Sequence, residues 1–152
     1  MDSSLMLIDN LKHKYNVASL RALAVKMDFS ANILLNWSSG RSSPNLEQLD
    51  QIAYHLGVDV FEILIEDNVF SEDTTPWRPG IENVFRKNIG RLKFEHGITE
   101  KYFIKDISTD IPINYKPFLR YINGENTKIN LKTIDKMSQI FDVPPYELLE
   151  RK

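Results

Sequence analysis

The sequence predicts an all-α protein that contains two copies of one small helical unit. Apolar residues recur at the spacing of a helix face, and no stretch alternates convincingly between apolar and polar residues as a half-buried strand would. One apolar pattern also occurs twice, first as Leu46, Leu49, Ile52, Leu56, Val58 and Ile63-Leu64, and again as Leu131, Ile134, Met137, Phe141, Val143 and Leu148-Leu149. Such a repeat is most simply two copies of one fold, so we expect a domain at residues 1–67, a linker at 68–80 and a divergent second domain at 81–152.

Residue types that favour helix ends divide the first half into five short helices. Leu5, Ile8 and Leu11 mark a first helix to about residue 15, and Gly40 suits the end of the third helix because glycine readily takes positive φ. The expected N-caps are Ser19 and Ser30 for helices two and three, Asn45 with Gln48 for helix four at 46–56, and Asp59 with Glu62 for a short fifth helix.

The second half follows the same order more loosely. Its helix starts are expected at Ile81, after Thr99, near Asn114, after Asn130 and at Pro145. From Phe103 to Gly124 there are four more residues than from Leu23 to Gly40, so the copies differ most between their second and third helices.

Pro76, Pro79 and Gly80 indicate a boundary between the two halves. At about 3.3 Å per residue, an extended linker here would span ~40 Å, enough for the two domains to contact a partner at two separate places. Alternatively, Phe70 and Trp77 dock the linker on one domain and shorten that reach.

Composition argues against several classes of protein. The chain has no cysteine, its three histidines lack the spacing of metal ligands, and it contains neither a Gly-rich phosphate loop nor a nucleophile elbow, so we expect no enzyme, metal or cofactor. No window approaches the ~20 apolar residues of a membrane span, and the N-terminus lacks a leader pattern, which indicates a cytoplasmic protein without a membrane partner. Domains of about 70 residues barely form an independent core, which favours contact between the halves or a homodimer.

The net charge of -2 conceals a separation of signs within the first half. Residues 11–43 carry Lys12, Lys14, Arg21, Lys26 and Arg41 against Asp28, whereas residues 44–70 carry six acidic residues and no Lys or Arg. A basic stretch of this kind suits contact with phosphate, although ordinary solvated surface would also account for it.

The second and third predicted helices carry the functional signal. They are short, lie about three residues apart, and include Ala24, which is small enough for close helix packing. These features indicate a helix-turn-helix motif, whose second helix enters the DNA major groove.

The residues of this region resemble the Xre, or Cro/cI-type, helix-turn-helix family over nearly all of residues 5–65. The matching positions are Ser19 to Ala24, Phe29-Ser30, Leu34, Trp37, Gly40, Pro44, Ile52-Ala53, Leu56 to Val58 and Ile63-Leu64. The resemblance implies two tandem five-helix, lambda-repressor-like domains joined by the Pro-containing linker. Two positions depart from the family pattern, because Leu20 replaces a Gln that contacts DNA and Ser38 replaces a Glu.

Carried over by position, the resemblance implies a set of DNA-binding residues. The groove-facing residues of helix three would be Ala31, Asn32, Leu35 and Asn36, beside an exposed Ile33, while Arg41, Lys12, Lys14 and Arg21 would supply positive charge near phosphate. Asn pairs with adenine and apolar groups contact the thymine methyl, so we expect an A·T-leaning half-site. The simpler interpretation of Asn32 and Asn36 is ordinary surface polarity, and Trp37 is expected in the core.

The corresponding positions of the second half are Tyr115, Lys116, Leu119 and Arg120. Lys116 and Arg120 suit phosphate or guanine, and Tyr115 suits either role. Ile104 replaces the small Ala24, so this half is expected either to contact DNA or to serve dimerisation or partner binding.

The leading hypothesis is therefore a sequence-specific, double-stranded DNA-binding repressor of phage or bacterial type that acts by occupying an operator. The alternative is a protein-binding inhibitor or adaptor on the same scaffold, such as a phage inhibitor of a host defence nuclease. Apolar Ile33 and Leu35, the loss of a polar residue at Leu20 and the acidic segment 44–70 favour that alternative, which requires a host protein partner.

Overall fold

The computed structural model describes residues 2–67, 70, 73–97, 120 and 128–151. Its α-helices are α1 (Ser3–Tyr15), α2 (Leu20–Met27), α3 (Ala31–Ser39), α4 (Leu46–Leu56), α5 (Ile81–Glu95) and α6 (Leu131–Phe141), with 3-10 helices η1 (Val60–Leu64) and η2 (Pro145–Leu148). Within these segments there is no strand, so the all-α prediction is confirmed for them. The helices expected after Thr99 and near Asn114 lie outside the described residues.

The helix ends follow the chemistry of their capping residues. The hydroxyl of Ser19 accepts a hydrogen bond from the N–H of Ala22, and the hydroxyl of Ser30 accepts one from Ile33. Asn45 and Gln48 form the expected capping box, each accepting from the other's backbone N–H. These local bonds satisfy donors that a helix start otherwise leaves free, which sets where each helix begins.

A single hydrophobic core runs through both halves of the chain. Its buried members include Leu7, Leu11, Leu23, Leu34 and Leu49 from the first half, and Phe85, Ile89, Ile134 and Phe141 from the second. Helix α1 contacts α6, α4 contacts α5, and η1 contacts η2. The two halves therefore bury apolar surface against each other, as their small size requires.

Two reciprocal backbone hydrogen bonds join the starts of α4 and α6. The N–H of Leu46 donates to the carbonyl of Ile129 at 2.9 Å, and the N–H of Leu131 donates to the carbonyl of Pro44 at 2.8 Å. They flank an antiparallel bridge between Asn45 and Asn130, the N-caps of the two helices. Asn45 and Asn130 occupy equivalent positions of the apolar pattern, so the contact pairs the same helix start from the two halves of the chain.

Two buried asparagines make the same contacts in the two halves. The side-chain amide of Asn10 donates to the carbonyl of Ile65 at 2.9 Å and to that of Ile63. The amide of Asn88 donates to the carbonyls of Glu150 and Leu148, at 2.8 and 3.0 Å. Each asparagine thus ties α1 or α5 to the segment around the 3-10 helix of its own half, so the described parts of the two halves share this contact.

The segment after η1 docks on the first half instead of extending away from it. The N–H of Trp77 donates to the carbonyl of Gly57, and its indole Nε1 donates to Asp50 of α4 at 3.0 Å. Its ring packs edge-on against Tyr54, with ring centroids 4.8 Å apart. Residues 75–77 are therefore docked on the first half through Trp77 and do not form an extended linker.

The C-terminus closes onto the same region through a buried ion pair. The Nε of Arg151 lies 3.0 Å from Oδ2 of Asp59, whose side chain is 0% exposed. The Nη2 of Arg151 also donates to the carbonyls of Arg78 and Pro79. Since a buried carboxylate without its partner is costly, this pair fixes the second half against the start of η1.

We expect Asn10→Ala to lower the free energy of unfolding by about 1–3 kcal/mol, because the carbonyls of Ile63 and Ile65 would lose their buried donor. Urea unfolding followed by circular dichroism measures the change, and Asn88→Ala should cost a similar amount. The control is Asp9→Ala, an exposed change on the adjacent residue of α1. Equal stability of Asn10→Ala and the control would show that the hydrogen bonds from Asn10 to Ile63 and Ile65 do not stabilise the fold.

Candidate nucleic-acid interface

Helices α2 and α3 pack together across a three-residue turn. Asp28 ends α2 in the left-handed conformation, with φ 58° and ψ 38°, and Ser30 caps α3. Ala24 is buried, and the ring of Phe29 in the turn packs edge-on against Trp37 of α3 at 5.7 Å. A small buried residue and an aromatic pair therefore fix the angle at which α3 leaves α2.

Helix α3 has one buried face and one exposed face. Leu34 and Trp37 are 0% and 2% exposed and anchor the helix in the core, as expected for Trp37. On the outer face, Asn32 is exposed, Leu35 is 51% exposed and Asn36 is half-buried. The exposed face thus offers two amides and one apolar side chain to a partner.

Ala31 and Ile33 are placed differently from the rest of the predicted set. Both are half-buried and pack against the core. Ile33 was expected to be exposed beside Leu35, and its partial burial is a correction to that expectation. The reason is that it lies at the first turn of α3, where the helix passes close to the body of the domain.

A lysine from the second half lies at the C-terminal end of α3. The Nζ of Lys132 donates to the carbonyl of Gly40 at 2.5 Å, and the N–H of Lys132 donates to Ser43 Oγ. A cation at a helix C-terminus is favourable because the helix dipole is negative there. The contact joins residues that are far apart in sequence, so no local pattern would have indicated it.

Four of the predicted basic residues have no acidic partner within the described residues. Lys14, Arg21 and Arg41 are exposed, and Lys12 is half-buried. In the described part of the chain, no carboxylate forms an ion pair with any of these four. Their charge is therefore available to an anionic partner.

Part of the acidic segment is not surface charge. Asp59 and Glu62 are buried; Asp59 pairs with Arg151, and Glu62 accepts a hydrogen bond from the N–H of Thr75. The remaining acidic residues of segment 44–70 are Glu47, Asp50, Glu66 and Asp67. The surface is thus less acidic than the sequence of this segment indicates.

The second set of predicted DNA-binding residues is described only at Arg120, which is helical and exposed. Tyr115, Lys116 and Leu119 lie outside the described residues.

Comparison of the chain with protein-family models, curated proteins and solved structures finds no match. Among the described helices, none combines the length and apolar character that a membrane crossing needs.

The two faces of α3 can be tested by the same substitution at adjacent positions. Leu34→Ala is expected to lower the free energy of unfolding by about 2–5 kcal/mol, because it leaves a cavity in the core. Leu35→Ala, on the exposed face, is expected to change it by only about 0.5 kcal/mol. Urea unfolding measures both, and similar losses at the two positions would show that the outer face of α3 is buried.

Proposed function

We propose that this protein is a sequence-specific, double-stranded DNA-binding transcriptional regulator, a cytoplasmic repressor of phage or bacterial type that acts by operator occupancy. We further propose that it consists of two tandem five-helix, lambda-repressor-like helix-turn-helix domains with the boundaries 1–67, 68–80 and 81–152. The observation that supports it best is the outer face of α3, where Asn32, Leu35 and Asn36 lie outside the core.

In this proposal, the outer face of α3 reads bases in the major groove. The amides of Asn32 and Asn36 can each pair bidentately with adenine, and the Leu35 side chain can contact a thymine methyl. Ala31 and Ile33 would shape the edge of the contact, since both are partly covered by the core. The expected half-site therefore leans to A·T.

The basic residues would hold the sugar-phosphate backbone on either side of the groove. Arg41 follows the C-cap of α3, Arg21 lies in the first turn of α2, and Lys12 and Lys14 lie in the last turn of α1. None of the four forms an ion pair within the described residues, so phosphate would neutralise them without breaking a bond. Most of the affinity would come from these contacts and would depend on salt.

The repeat supports a site with two halves. In this proposal the two halves are copies of one domain, and the reciprocal bonds at Asn45 and Asn130 would relate them by a local two-fold axis, the symmetry of the operators of dimeric repressors. One chain would then act as a repressor dimer does, with Tyr115, Lys116, Leu119 and Arg120 as candidates for contact with the second half-site. A homodimer of the whole chain would extend the site further.

A protein-binding inhibitor or adaptor is the second candidate, and exposed apolar side chains favour it. Leu35 is 51% exposed and Val25 on α2 is 78% exposed. However, the partial burial of Ile33 and the burial of Asp59 and Glu62 remove part of the apolar and acidic surface that such a partner would use. DNA binding is therefore the function we propose first.

Selection from random DNA duplexes is expected to enrich an A·T-containing motif. Asn36→Ala should relax that preference, because one bidentate base contact contributes about 1–3 kcal/mol of discrimination. Gln139→Ala, which removes an exposed amide on α6, is the control and should leave the motif unchanged. No enriched motif, together with no duplex binding at low salt, would reject the repressor and favour the protein-binding candidate.

Arg41→Ala is expected to weaken binding to all duplexes alike and to reduce the slope of log K against log salt by about 1, because one phosphate contact is lost. Titrations at several salt concentrations measure the slope. Lys87→Ala, a change of an exposed basic residue on α5, is the matched control. An unchanged slope in Arg41→Ala, or an equal change in the control, would remove Arg41 from the interface.

A further inference from the structure

A pocket of about 260 Å³ lies where the C-terminal ends of α1, α2 and α4 come together. Aromatic side chains from all three regions line it, namely Tyr15, Phe29, Tyr54 and His55. Its volume is just below the usual range for drug-sized ligands, so a smaller molecule with a single ring would fit. None of the residues proposed to contact DNA lines this pocket.

The electrostatic character of the pocket is negative. Asp28 is the one acidic residue among the lining residues of the pocket, and no lysine or arginine of the described chain is among them. Helix α1 ends at Tyr15, α2 at Met27 and α4 at Leu56, so the C-terminal ends of three helices border the pocket, and the helix dipole makes such ends negative. Lysines in the last turns of α1 and α2 do not line it. An anion would be repelled from this position and a cation attracted.

Tyr15 contributes a neutral aromatic ring to the wall. Its hydroxyl is buried and makes no protein hydrogen bond within the described part of the chain. Burial raises the pKa of Tyr15, so the phenol stays neutral. The hydroxyl oxygen is closed to a molecule in the pocket, so the ring is the part of Tyr15 that a ligand can contact.

We propose that this pocket binds a small organic cation, a primary ammonium group carried on an apolar body of about one ring. The ammonium donates to the Asp28 carboxylate. The faces of the aromatic side chains attract the positive charge and pack against the body of the ligand. Met27 and Ile52 complete the apolar part of the wall.

The pocket also borders the turn that positions α3. Asp28 and Phe29 belong to both, and the Phe29 ring contacts Trp37 in the middle of α3. A ligand that moves Phe29 therefore changes the support of α3, and with it the affinity for DNA. This regulatory consequence rests on the proposed function, whereas binding of the cation does not.

Three probes of equal shape and different charge test the site on the full chain without DNA. Isothermal titration calorimetry with phenethylamine, 2-phenylethanol and phenylacetate should give the lowest Kd for the amine. We expect the amine to bind about tenfold more tightly than the alcohol, since cation–π and carboxylate contacts together contribute that much, and phenylacetate to bind most weakly.

Two variants locate the binding. Asp28→Asn keeps a residue that tolerates the left-handed backbone and should remove the preference for the amine over the alcohol. Tyr15→Leu removes an aromatic ring from the wall and should weaken the amine several-fold with a smaller effect on the alcohol. Asp9→Asn is the control for net charge, because Asp9 is exposed and does not line the pocket.

Equal affinity for the three probes, no binding of the amine, or an unchanged preference in Asp28→Asn would overturn the proposal. These measurements contain no DNA, so they stand or fall separately from the repressor hypothesis. If the amine binds, repeating the duplex titrations with and without it tests the regulatory consequence, which an unchanged DNA affinity would overturn.

Discussion

The structure depends on the pair of backbone hydrogen bonds at the starts of α4 and α6. A helix leaves its first N–H groups without partners, and here the N–H of Leu46 and that of Leu131 each find a carbonyl of the other copy. Together with the shared core and the Asp59–Arg151 pair, these bonds join the described parts of the two halves of the chain. Each half alone has a length near the lower limit for an independent core.

The parts of the fold that depend on local chemistry could be predicted from the sequence. Ser19, Ser30 and the Asn45–Gln48 box fix helix starts through neighbours at most three residues away, and apolar spacing identifies the buried faces. The repeat itself was also visible in the apolar pattern. Such features are encoded in short windows, which is why one sequence suffices to find them.

What could not be predicted depends on residues distant in sequence. The roles of Asn10 and Lys132 follow from carbonyls that tertiary packing brings to them. The partial burial of Ile33 reflects the angle between α3 and the body, which helical periodicity does not specify. The pocket beside Asp28 likewise forms only when three helix ends meet.

Two surfaces of the first half give the proposed function its physical basis. The outer face of α3 offers amides and an apolar group. Basic residues that form no ion pair within the described residues lie on α1, on α2 and just after α3. The aromatic pocket borders the turn between α2 and α3, and the contact of Phe29 with Trp37 connects the pocket to α3. In the proposed regulation, a small movement in this turn carries the effect of the ligand to DNA affinity, because packed aromatic pairs resist gradual deformation.

Native-state hydrogen exchange tests the central claim most directly, because first-turn amides normally exchange quickly. The account predicts that the amides of Leu46 and Leu131 are both strongly protected and open with the same free energy, close to that of global unfolding. The corresponding amides of Leu20 and Ala31, which have no partner from the other copy within the described residues, should exchange quickly. Rapid exchange at Leu46 and Leu131, or protection of only one of them, would contradict the joining of the two copies.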